Sequence, residues 1–170
     1  FIPGLATLVE QIHAFGAKAA IQINHAGAST RLEITNGIQP VGPSAVPASK
    51  TASPPRELSE GEIEVIAAKF GEAARRAKRA GFDAVEIHGA HSYLIAQFMS
   101  PLTNRRNDRF GGSLENRLRF PLMVVERVRA AVGPDFPVIF RISGDEFVEG
   151  GRDLDESIEI CKILVRNGVD

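Results

Sequence analysis

Two imidazoles and a phenol fall within six residues in the segment His88-Gly-Ala-His91-Ser-Tyr93. Histidine and tyrosine side chains can hold a developing oxyanion and supply a proton. The residues leading into them, Val85-Glu86-Ile87-His88, alternate apolar and polar, as a strand does when its two faces differ. That strand is predicted to end at Gly89. The three side chains then gather just past its carboxyl end, the end of the sheet where α/β folds bind ligands. Each one alone reads as a packed or capped polar residue. The three together point to a reacting site.

The elements that position them follow a repeat of amphipathic helix, glycine, short link and apolar strand. Helices are predicted at Pro3 to Phe15, Gly61 to Ala80, Leu114 to Val132 and Leu154 to Asn167. Strands are predicted at Lys18 to Asn24, Asp83 to His88 and Pro137 to Ile142. Ser59-Glu60-Gly61-Glu62 has the form of a capping box, Asp153 to Glu156 resembles one, and Gly81 fits a C′ position. Pro121 is expected to kink or divide the third helix. Strict alternation of helix and strand implies βαβ units and a parallel sheet. A complete (β/α)8 TIM barrel needs ~250 residues, so this chain reads as roughly its middle half, one partial domain over residues 1–170. A doubly wound open sheet is the structural alternative. The chain starts at Phe1 and stops at Gly168-Val169-Asp170, where the repeat would begin another strand. This predicts an internal piece of a longer protein.

Polar residues collect at the carboxyl ends of the strands: Gln22 to Gly27, Glu86 to His88, and Arg141 to Asp145. The period of two puts Ile139, Arg141 and Ser143 on one face, and Val138, Phe140 and Ile142 on the other, toward the helices. Gln22, Glu86 and Arg141 would then point into a barrel interior, as donors to a polar heterocycle or as a buried network such as an Arg141–Glu86 pair. The proline-rich stretch from Ala26 to Leu58 is too long for a plain connection and is expected to pass over the active face. Arg31 and Lys50 could reach a ligand from it. The connection from Ser100 to Ser113 is rich in Asn and Arg. It reads as a loop locked by ion pairs, with Gly111-Gly112 permitting a tight turn.

Composition fits a water-soluble α/β protein of 170 residues, 44% hydrophobic, with a net charge of −1. This balance gives no support for nucleic-acid or anionic-membrane binding. A single cysteine, Cys161, excludes a disulfide framework and suits a reducing, cytoplasmic setting. No apolar run reaches transmembrane length.

Taken together, Gln22-Ile-Asn-His25-Ala-Gly27, the run from His88 to Pro101, the run from Asn104 to Arg117 and Arg141-Ile-Ser resemble the Old Yellow Enzyme family of NADH:flavin oxidoreductases. The resemblance covers almost the whole chain. It implies an FMN-dependent barrel that passes hydride from NAD(P)H through flavin to an electron-poor C=C bond. His88 and His91 match the pair that grips the carbonyl oxygen of an α,β-unsaturated carbonyl substrate. Tyr93 matches the proton donor to the α-carbon, and Gln22 and Arg141 match flavin contacts. The phosphate site of FMN would lie outside this chain, as would any iron–sulfur domain. The isolated segment is expected to hold FMN poorly and to be inactive, and the family reading leaves room for a homo-oligomer.

Ser92 stands where many ene-reductases have glycine. Serine there also fits the amine-dehydrogenase branch, but that branch tends to have tyrosine where this chain has His88. The His–His pair favours a carbonyl-activating reductase. Two other classes remain open at the level of sequence. One is a metal-dependent barrel hydrolase or lyase with His25, His88 and His91 as ligands, for which no clustered carboxylate completes an obvious site. The other is a non-catalytic barrel used for binding.

Overall fold

Local signals set the helices of this chain, which a computed structural model describes over residues 2–170. Ser59 caps α2 (Glu60–Arg79). Its hydroxyl accepts the Glu62 N–H, and the Glu62 carboxylate accepts the Ser59 N–H, the reciprocal box that the sequence predicts. Arg56 also pairs with Glu62, and these bonds hold the Glu62 carboxyl down at about 2. Gly81 follows at a φ of 93°, a value that favours glycine at a helix end. The helices α1 (Ile2–Ala14), α2, α4 (Leu114–Val132) and α5 (Leu154–Arg166) all lie within one residue of their predicted ranges.

Two local expectations are narrowed. Of the two outcomes expected of Pro121, division of the helix does not occur: α4 runs without a break from Leu114 to Val132, with Pro121 buried. Asp153 caps α5 by accepting the Glu156 N–H at 2.9 Å, but the reciprocal half of the box is missing. The Glu156 carboxylate instead takes a two-pronged bond from the buried Arg117, at 3.0 and 2.8 Å. A charged partner outcompetes a backbone N–H for the same oxygens.

The strands β1 (Ala20–Ile23), β4 (Ala84–Gly89) and β5 (Val138–Ile142) form one parallel sheet in the order β1-β4-β5. Chain neighbours are sheet neighbours, with α2 and then α4 as the connections. Val85, Ile87 and Val138 on one strand face are fully buried against Ile63, Phe70, Val124 and Val128 of those two helices. Burial of each such side chain stabilises the fold by ~1.5–3 kcal/mol. The opposite face is open: Gln22 and Arg141 are exposed, and Ile139 is 40% exposed. The helices connecting the strands therefore pack on one side, and polar residues line the other. That is the winding of a barrel wall rather than of a doubly wound sheet.

The excursion between β1 and α2 carries a second, two-stranded parallel pair, β2 (Val41–Gly42) and β3 (Arg56–Glu57), which no periodicity in its sequence announces. A short helix, α3 (Leu94–Met99), follows the His–Tyr segment, and all six of its residues are buried.

Candidate active site

The segment from His88 to Tyr93 leaves the end of β4 and turns sharply into α3. His91 and Ser92 both adopt left-handed backbone, at φ of 55° and 57°. Each costs on the order of 1 kcal/mol for a non-glycine residue. The contacts around the turn hold it there. The His91 N–H donates to Ser143 Oγ at 3.2 Å, and the Tyr93 N–H donates to the Ala90 carbonyl. The Ser92 carbonyl accepts both Ser29 Oγ at 2.7 Å and Gln97 Nε2 at 2.5 Å. Gln97 is 2% exposed, and its Oε1 accepts the Ala28 N–H. A Cβ on Gly27, whose φ is 60°, would collide with that amide. Gln97 thus straps the turn to the segment after β1.

The turn brings three rings together. His88 and His91 lie edge to face with centroids 5.2 Å apart, and His88 and Tyr93 do the same at 5.1 Å. His88 is 4% exposed, Tyr93 is half-buried and His91 is exposed. Tyr93 occupies the N-cap position of α3 without a side-chain cap bond. Among the described residues none of the three rings makes a side-chain hydrogen bond, and the buried His88 Nδ1 has no partner. A buried polar atom left without a partner is uncommon and calls for a specific explanation, such as a catalytic role or a bound water. Burial pushes the His88 imidazole below its ordinary pKa. His91 and Arg141 push the same way, and Glu86 opposes them. His88 is therefore a neutral ring at neutral pH, with one N–H to give.

Gln22 and Arg141 both lie on the open strand face, as the sequence predicts. Of the two readings the sequence leaves open, the Arg141–Glu86 pair does not form. The parallel register sets Glu86 opposite Gln22 and Ile139, while Arg141 stands opposite His88. Gln22 Nε2 donates to the Glu86 carboxylate instead. His25 does not join the other two histidines. Its Nδ1 accepts the Gly27 N–H at 3.1 Å, and burial, with Lys69 nearby, lowers its pKa. Among the described residues no three His, Cys, Asp or Glu side chains gather to hold a metal ion, so the proposed His25–His88–His91 ligand set is not assembled. No described helix is long and apolar enough to cross a membrane.

A cavity of about 280 Å3 adjoins the turn, lined by His91, Ser92, Ser143, Glu146 and Arg152 among others. A larger cavity, about 810 Å3, lies along α4, against Arg119, Met123 and Arg129, and none of the three rings lines it. Sequence reasoning assigns Gln97 no role; a lone amide inside an otherwise apolar run is the available signal. The loop from Ser100 to Ser113 is structural. Asn104 Nδ2 bonds the Phe98 and Phe110 carbonyls, and the buried Arg106 bonds the Pro43 and Leu58 carbonyls and Asp108.

Comparison with known proteins gives the family and supports the fold. The family model for the NADH:flavin oxidoreductase / NADH oxidase family matches residues 1–170. A protein named NADH oxidase from Thermoanaerobacter brockii is 54% identical over 99% of this chain and 26% of its own length. An NADPH dehydrogenase from Clostridium acetobutylicum is 45% identical over 95% of this chain and 47% of its own. The solved structure of morphinone reductase in complex with tetrahydroNAD superposes with a TM-score of 0.89 at 37% identity, over 99% of this chain and 51% of that one. This chain therefore spans about a quarter to a half of the length of the relatives it matches, and its sheet is part of a (β/α)8 barrel. It belongs to the NADH:flavin oxidoreductase / NADH oxidase family.

Proposed function

We propose that this chain is the central part of an FMN-dependent oxidoreductase that uses NAD(P)H to reduce an activated C=C bond, that of an α,β-unsaturated carbonyl compound. The observation that carries the reading is the His88–His91–Tyr93 cluster, whose rings make no side-chain hydrogen bond among the described residues, and whose His88 shares the strand face of Gln22 and Arg141. The donor set fits FMN. An exposed amide and an exposed guanidinium suit the carbonyls and N–H of a flavin pyrimidine, and Gln22 and Arg141 would hold it. When bound, that group supplies hydride transfer between reduced nicotinamide and substrate carbon.

The residues of this chain do the rest. His88 and His91 donate N–H bonds to the substrate carbonyl oxygen. These bonds strengthen as negative charge develops on that oxygen in the enolate, so they lower the barrier rather than merely bind. A neutral His88 donates without giving up its proton to solvent. Tyr93, beside His88, delivers a proton to the α-carbon and completes reduction of the double bond. The rigid turn holds all three rings in one arrangement before substrate arrives. The names of the relatives support the NAD(P)H-linked redox part of this reading.

The test is Tyr93→Phe in the full-length protein, with the two half-reactions followed separately by stopped flow. Reoxidation of the reduced flavin by an enone should slow by ~10²–10⁴-fold. Flavin reduction by NAD(P)H should stay near the wild-type rate. An enone half-reaction that keeps its wild-type rate would mean that the proton comes from elsewhere.

A further inference from the structure

We propose that Glu86 is a positioning residue that fixes the orientation of the Gln22 amide, so that Gln22 presents its oxygen, not its nitrogen, to the pyrimidine edge of the flavin. The inference rests on the FMN reading above and adds a residue to it.

Gln22 and Glu86 are direct partners across neighbouring parallel strands and lie on the same open face. Gln22 Nε2 donates to a Glu86 carboxylate oxygen. An amide has two nearly equivalent faces, one that donates and one that accepts, and can present either by a half-turn about its last bond. A carboxylate removes that freedom. It only accepts, so the NH2 group must face Glu86 and Oε1 must turn away. Among the described residues nothing donates to that oxygen. A flavin pyrimidine carries one N–H between two carbonyl groups, so an accepting oxygen selects the N–H and a donating nitrogen would select a carbonyl. Glu86 thereby decides which atom of the cofactor Gln22 meets. A role in merely holding the strands together is a poor account of the bond, because the backbone ladder already pairs these two residues and Gln22 is exposed.

The experiment is a double-mutant cycle on FMN affinity, with the full-length apoprotein titrated with FMN. Glu86→Leu should weaken FMN binding by ~5–10-fold, the size of one hydrogen bond made with the wrong partner. In a Gln22→Leu background the same substitution should change affinity by less than about 2-fold, because there is no longer an amide to orient. Glu86→Gln keeps the shape and an acceptor but admits both amide orientations, and should lose less than Glu86→Leu. It also carries the test if the leucine variant does not fold. The ¹⁵N resonance of N3 in labelled, bound FMN should move in Glu86→Gln, a change that a general loosening of the sheet would not produce. Equal losses from Glu86→Leu in both backgrounds, or an unmoved N3 resonance, would overturn the positioning role while leaving the FMN reading intact. A Gln22→Leu variant that binds FMN as tightly as wild type would instead remove Gln22 from the flavin site, and the inference with it.

Discussion

Two polar loops leave the same core and use their polar groups in opposite ways. In the loop from Ser100 to Ser113 the buried polar groups named above are spent inside the protein. Asn104 gives both of its N–H bonds to backbone carbonyls, and Arg106, with its side chain 4% exposed, bonds two carbonyls and a carboxylate. In the turn from His88 to Tyr93 the rings make no side-chain hydrogen bond among the described residues, a buried nitrogen has no partner, and two residues hold left-handed backbone. A satisfied network fixes a structure and leaves nothing over for a ligand. An unsatisfied, strained one costs stability and is retained where something binds or reacts. Counting histidines and arginines would rank the arginine-rich loop as the more functional of the two. Following where each hydrogen bond goes reverses the ranking.

The sharpest way to break this contrast is Arg106→Met. It should destabilise the full-length protein by about 3–5 kcal/mol, because the Pro43 and Leu58 carbonyls and the Asp108 carboxylate lose their shared partner at once. Urea unfolding reads this as a fall in midpoint at unchanged slope. A loss below about 1 kcal/mol would mean that this network is not the lock described here. A smaller effect is expected at the seam between the two regions. Gln97→Leu should cost about 1–3 kcal/mol by leaving the buried Ala28 N–H unpaired. It should also weaken binding of a phenol that mimics the enolate, because the Ser92 carbonyl keeps only its bond from Ser29. Isothermal titration with such a phenol separates the two effects. If stability falls and phenol affinity holds, the strap supports the fold but not the site.

The reach of the sequence can be judged from these same residues. His88, His91 and Tyr93 were legible because six residues of chain and one tight turn suffice to bring them together. The capping box at Ser59 and the glycine at position 81 were legible because their geometry spans one helical turn. What was not legible depends on partners remote in the chain. Glu86 meets Gln22 rather than Arg141 because parallel register, not proximity in sequence, decides the neighbour, and the two are 64 positions apart. Glu156 has the spacing of a capping residue, but Arg117 of another helix claims its carboxylate. Pro121 carries a real local penalty, and α4 continues past it with its proline face packed in the core. In each case a tertiary contact outweighs a local preference.

The smallest predicted effect has an unusual sign. At an ordinary position, exchanging serine for glycine loosens the unfolded chain and costs a fraction of a kcal/mol, up to about 1. Ser92 is not ordinary. Its φ of 57° costs a side-chain-bearing residue on the order of 1 kcal/mol, a cost glycine does not carry. Its hydroxyl makes no hydrogen bond among the described residues; only its carbonyl is held, and glycine keeps that carbonyl. The two terms oppose each other and nearly cancel. Ser92→Gly should therefore leave stability unchanged or raise it by up to about 0.5 kcal/mol, a rise of a degree or two in Tm at most. The same exchange at Ser59, where the hydroxyl caps α2, should lower Tm, since it removes the bond to the Glu62 N–H. Differential scanning calorimetry on the two variants makes the comparison directly. If Ser92→Gly lowers Tm as much as Ser59→Gly, the turn is not strained, and the contrast between a strained site and a satisfied lock loses its backbone half, leaving only the unspent rings to mark the site.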